Sequence, residues 1–145
     1  MTRQQLIDIA HAHAAAERRG DREATLATLE ADVLYELQPV GLLLRGIDAA
    51  RRYYDYFFAE FRPLAVASRL RGEWVTDEGV GQEYTISVRP PGAPIEHHAV
   101  VAILTFGATA LSGERLYASE RLLRLMFGPV YESAEPVLAP PPPAA

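Results

Sequence analysis

A chain of 145 residues can bury one substantial core and is too short for two ordinary domains. Its 49% apolar and 23% charged residues exclude a disordered chain, and the longest purely apolar run, residues 99–104, falls far short of the roughly 20 that span a bilayer. A net charge of −5 without a basic cluster argues against a nucleic-acid partner, and the lack of cysteine removes disulfides, thiolate nucleophiles and cysteine-held metals. No basic stretch followed by an apolar one opens the chain, so the expected location is cytoplasmic, with no membrane contact. All 14 basic residues are arginine and asparagine is also absent, a bias that reflects a GC-rich genome rather than guanidinium chemistry.

Residues 3–18 place Leu6, Ile9, Ala10 and His13 on one helical face, with Gly20 as C-cap. Asp21 then caps a second helix reaching about Glu30. Residues 33–38 read as a strand ended by the Pro39-Val40-Gly41 turn, and residues 42–45 as a short strand or arm. Ile47, Ala50, Tyr54, Phe57 or Phe58, and Phe61 recur at helical spacing until Pro63 stops them, giving an amphipathic helix with an aromatic inner face. Strands follow over 64–76 and 80–88, then a long hairpin over 95–106 and 111–119, and a short helix over 119–128. The expectation is an α+β fold, with a curved, mostly antiparallel mixed sheet wrapped around three helices. One domain is expected over 1–130, with a proline-rich, extended and disordered tail over 131–145.

Four strings carry a family likeness: His13 with Gly20-Asp21 on and after the first helix, Gln38-Pro39-Val40-Gly41, Gly46-Ile47-Asp48-Ala49-Ala50, and Glu114-Arg115-Leu116-Tyr117-Ala118-Ser119. With the element order, they resemble the nuclear-transport-factor-2-like superfamily, in particular its SnoaL-like polyketide cyclases and steroid Δ-isomerases, over roughly residues 5–128. The resemblance implies a cystatin-like cone fold, a pocket for a small apolar ligand, no cofactor and a homodimer through the convex sheet face. It also implies what is absent. Where the isomerases carry a tyrosine, an aspartate and a second aspartate, this chain has His13, Gln38 and Ala102, and Gln38 cannot abstract a proton. Where the cyclases carry an aspartate and its partner histidine, it has Ser119 and Thr105.

If that fold holds, strand alternation turns His98, Val100, Ala102 and Leu104 inward on one strand, and Glu114, Leu116 and Ala118 on the next. His13, His98 and Glu114 are therefore the candidate catalytic groups, since a desolvated carboxyl and an imidazole both exchange protons near neutral pH. Gln38, Tyr54, Phe57, Trp74 and Tyr84, with Ala102, Leu116 and Ala118, are the candidate substrate contacts. The doublet His97-His98 and the pair Glu114-Arg115 leave the inward member dependent on register. Arg115 and Glu83 are expected to pair across the convex face. No helical ligand spacing suggests a metal, and no nucleophile elbow suggests a serine hydrolase. Two functions fit: a cofactor-independent acid/base enzyme acting on a polyketide-, terpenoid- or steroid-sized molecule, or a binding or accessory module with the same cavity and no chemistry.

Overall fold

The computed structural model describes residues 1–137. Helix α1 (Arg3–Arg19) starts where the Thr2 hydroxyl accepts from Gln5 N–H while Thr2 N–H donates back to the Gln5 side chain, and ends at Gly20 in the left-handed region, φ 74°. Asp21 accepts from Ala24 N–H at 3.0 Å and opens α2 (Arg22–Leu26). The helix expected to continue to Glu30 stops there. Strand β1 (Leu29–Gln38) has already begun, because Leu29 pairs with Leu111 and the Glu30 carboxylate receives Thr109 N–H from a loop distant in sequence. That partner is invisible to a local reading.

After β2 (Leu42–Arg45), helix α3 (Ile47–Tyr56) widens into a π-helical turn (Phe57–Phe61) in which Arg62 N–H reaches back to Phe57 O. A single 3-10 turn containing Pro63 closes it. Strands β3 (Ala65–Val75), β4 (Gly79–Val88), β5 (Glu96–Phe106) and β6 (Leu111–Tyr117) follow. The Ser119 hydroxyl accepts from Leu122 N–H to start α4 (Glu120–Phe127). The chain then continues as α5 (Pro129–Glu132) and β7 (Glu135–Pro136).

The seven strands form one curved, unclosed sheet in the order β3-β4-β5-β6-β1-β2-β7, antiparallel throughout except where β1 runs parallel to β6. This is the α+β architecture expected. The helices fill the hollow, where Tyr53 stacks on Phe127 with centroids 4.0 Å apart and Tyr35 and Tyr54 complete a buried aromatic cluster. The described part of the region expected as tail is folded: Tyr131 is buried and β7 pairs with β2, because that edge offers unpaired groups to Glu135 and Pro136. Residues 138–145 lie outside the described residues.

Two local features set which side chains reach the hollow. A bulge between Leu70 and Gly72 inverts the alternation of β3, so Leu70 faces inward opposite Tyr84 while Trp74 faces outward opposite Gly81. Gly113 lets β6 approach β1 closely; a β-carbon there would stand 2.0 Å from Leu34 O. Substituting Gly113→Ala is therefore expected to cost about 3 kcal/mol, measured by urea unfolding, because backbone rather than a flexible side chain blocks the methyl group.

Candidate active site

Helix α1 brings two groups to the hollow four residues apart, His13 and Glu17, which share a face by helical spacing. His13 is 1% exposed. The Thr28 hydroxyl donates to Thr25 O at 2.6 Å, so its oxygen is free to accept from His13 Nδ1 at 2.7 Å. That bond orients Nε2 toward Glu17 Oε1, 3.1 Å away. Tyr54 donates its hydroxyl to the same Oε1 at 2.7 Å and stands 3.1 Å from His13 Nε2, while Tyr35 supports the Tyr54 hydroxyl at 2.7 Å. The carboxylate thus sits on a relay of two phenols and an imidazole.

Glu114 approaches from β6, where it lies opposite Leu104 of β5, and is 8% exposed. One donor atom each of His13, Glu17 and Glu114 lie within 4.8 Å of one another. Among the described residues no hydrogen bond reaches the Glu114 carboxyl. It lines a cavity of about 370 Å³ together with His13, Glu17 and Tyr84, over an apolar floor that includes Phe57, Leu104 and Met126.

The three groups titrate apart. For Glu114, burial first and the Glu17 charge second push the carboxyl up to about 8, against the opposing pull of His13. Burial also acts to raise Glu17, but the charge and hydrogen bond of His13 and the Tyr54 hydroxyl outweigh it and hold Glu17 below the usual carboxylate range. Burial works to lower His13, and is outweighed by the Glu17 charge and hydrogen bond and by the charge of Glu114, so the imidazole moves up. Burial raises Tyr35, Tyr53 and Tyr54 well above their ordinary value, so these phenols remain donors. The surroundings thus favour the imidazolium of His13, the carboxylate of Glu17 and the neutral carboxyl of Glu114. One nitrogen and two carboxylate oxygens also form a donor set that a divalent cation accepts, provided His13 and Glu114 give up their protons.

The structure brings His13, Glu114, Phe57, Tyr84 and Ala102 to the cavity. Other expected members stand elsewhere. His98 has the inward parity, but it lies six residues from Leu104, about 20 Å along the strand at ~3.3 Å per residue, and so cannot meet Glu114. There its Nε2 contacts Glu96 at 3.0 Å and its Nδ1 the Ser119 hydroxyl at 3.3 Å, tying the start of β5 to the start of α4. Gln38 faces away from the hollow, because Val33, Tyr35 and Leu37 take the inward positions of β1. Trp74 is turned outward by the β3 bulge. Leu116 and Ala118 are buried in the core without lining the cavity, and Tyr54 supports Glu17 from behind it. Arg115 and Glu83 do not pair: β5 separates their strands, and Glu83 meets Arg71 at 3.7 Å. Sequence reasoning missed Glu17, whose signal is the His-x-x-x-Glu spacing on an amphipathic helix.

No protein-family model and no curated protein matches this chain. Solved structures do. A candidate SnoaL-like polyketide cyclase from Jannaschia sp. CCS1 superposes with a TM-score of 0.68 at 12% identity, over 87% of this chain and 94% of that one. An NTF2-like protein from Anabaena variabilis gives 0.67 at 18% identity, over 83% and 95%. A candidate polyketide cyclase from Xanthomonas campestris gives 0.63 at 22% identity, over 88% and 98%. The likeness establishes the NTF2-like cone fold. No helix among the described residues is long and apolar enough to cross a membrane.

Because the fold favours the neutral form of Glu114, stability should fall as pH rises from 4.5 toward about 8. His13, raised from 6.5, contributes stability that is present below 6.5 and lost as pH rises through its higher folded value. The window between 4.5 and 6.5 thus isolates Glu114. Urea unfolding should show a decline on the order of 2 kcal/mol across it, at 1.36 kcal/mol per pKa unit, and Glu114→Gln should abolish that decline while leaving the one above 6.5.

Proposed function

We propose that the protein is a cofactor-independent acid/base enzyme acting on a small, largely apolar carbonyl compound of polyketide, terpenoid or steroid type. The observation that carries this reading is a pair of carboxyls facing one cavity in opposite surroundings, Glu114 without a hydrogen bond among the described residues and Glu17 bonded by His13 and Tyr54. Two titratable groups of the same chemistry, driven in opposite directions by their surroundings, supply an acid and a base at one pH. The volume of about 370 Å³ falls within the range of small-molecule sites.

In the proposed cycle Glu17 takes a proton from the carbon next to the substrate carbonyl. The C–H electrons form the new C=C bond, the carbonyl π electrons move to oxygen, and that oxygen takes the Glu114 proton. Glu17 is now a carboxylic acid and Glu114 a carboxylate beside an enol. Where the substrate also carries a β,γ double bond the enol is a dienol; its γ-carbon takes the Glu17 proton, the double bonds shift, the C=O re-forms as the enol proton returns to Glu114, and the isomerisation restores both groups. Where the substrate carries a β-hydroxyl instead, that hydroxyl takes the Glu17 proton and leaves as water as the enol electrons form the C=C bond and the enol proton returns to Glu114, a dehydration that also restores both groups. Tyr54 and His13 keep Glu17 ionised at neutral pH, which maintains the base form while moderating its strength.

Wild-type protein is expected to turn over at least one member of a panel of enones and β-hydroxyketones, with a rate that falls as pH rises through about 8 and Glu114 loses its proton. Glu114→Gln and Glu17→Gln should each lower kcat by about 10² or more with an unchanged far-UV circular dichroism spectrum. Ligand binding without turnover anywhere in the panel would establish a binding module instead, and turnover unaffected in Glu114→Gln would remove Glu114 from the mechanism.

The outward sheet face carries Trp74 and Tyr117, 41% and 44% exposed, beside Val101 and Ile103. We propose that it forms the homodimer contact, on analogy with the fold. Sedimentation analysis should then show a dimer, reduced to monomer by Trp74→Glu with Tyr117→Glu; a monomeric wild type would overturn this.

A further inference from the structure

The cavity's exposed lining residues mark its mouth: Arg18 at the end of α1, Arg62 after the π-helical turn, and Ser68 and Leu70 on β3. The two arginines are unusual in their setting. Neither meets a carboxylate among the described residues, although Arg19 beside them pairs with Asp21 and Arg22 with Asp55. Arg62 is nonetheless held in place. Its Nη2 donates to Arg18 O at 2.7 Å, at a helix C-terminus whose carbonyls favour a cation, and its guanidinium lies against Gly20, where an added β-carbon would meet Nη1 at 3.1 Å. Arg62 is thus fixed at the rim, and Arg18 stands beside it, near enough to the Glu17 carboxylate to help lower that group, while neither guanidinium makes an ion pair among the described residues of a protein of net charge −5.

Resting on the reading of the cavity as a small-molecule site, we infer that Arg18 and Arg62 bind an anionic group at the outer end of the substrate, which is therefore an amphipathic acid such as a carboxylate with an apolar body. The interior supports this division. Beneath the rim the walls are aromatic and aliphatic, with Tyr53, Phe57, Phe61 and Ile86 among them, and Glu17 already places a carboxylate there, which repels a second buried anion. An anion is stable only at the mouth, where guanidinium groups offer paired donors and water completes its hydration. Held there, the anionic end also fixes the direction in which the apolar body enters toward Glu17 and Glu114.

The test is titration calorimetry at pH 6.5 with 4-phenylbutanoate and the isosteric 4-phenylbutanamide, in low salt and in 0.5 M NaCl. The acid is expected to bind about threefold or more tightly than the amide, a margin suited to a partly exposed charge pair, and salt should narrow it. Arg18→Gln combined with Arg62→Gln should remove the preference and leave amide binding unchanged. Equal binding of the two probes, or a preference that survives in the double variant, overturns the rim assignment while the cavity reading stands. Binding of neither probe overturns both.

Discussion

Burial of His13 and Glu114, with Glu17 half-buried beside them under a sheet, is the constraint on which the rest of this molecule depends. A carboxylate and an imidazolium taken out of water cost several kcal/mol each unless they meet partners, and here His13 and Glu17 meet one another. Thr28, Tyr54 and Tyr35 satisfy the remaining donors and acceptors, so the aromatic cluster of α3 and β1 serves the site as much as the core. Among the described residues Glu114 has no such partner, and burial instead favours its protonated form.

That division links packing to chemistry. The same desolvation acts on both glutamates, and the difference between them is the imidazole on one side and an existing negative charge on the other. A site of this kind needs no metal to hold an acid and a base together, although its donor set would admit one. It needs a rigid frame, because a small displacement of α1 against β6 would change both distances and charges. The curvature of the sheet, the close approach of β6 to β1 at Gly113, and the stacked Tyr53 and Phe127 supply that frame.

The position of the acids also separates this chain from the enzymes its strings resemble. At the positions where those isomerases and cyclases carry acids it has Gln38, Ala102 and Ser119, and the structure gives these residues an outward face, a cavity wall and a helix cap. Acidic groups enter the hollow from a different turn of α1 and from the middle of β6 instead. One cone can thus present a carboxylate from several walls, which is why fold alone does not assign the reaction.

The order of elements, the caps at Gly20 and Asp21, the amphipathic α3 and the alternation of β5 and β6 were all legible in the chain, because each rests on neighbours a few residues apart. His13 on the inner face of α1 was legible for the same reason, whereas the inward member of Glu114-Arg115 depended on register. What tertiary structure alone decided was depth, register and partnership. His98 has the right parity but the wrong position along its strand, since alternation says which face a residue takes and nothing about how far it stands from a group on another strand. Trp74 was reversed by a bulge that no local pattern announces. Glu17 reads in sequence as a solvent-facing charge near the end of a helix. It becomes a site residue only because β6, some hundred positions later, lays Glu114 beside it and Tyr54 closes over it, contacts whose energy exists only once the chain has folded.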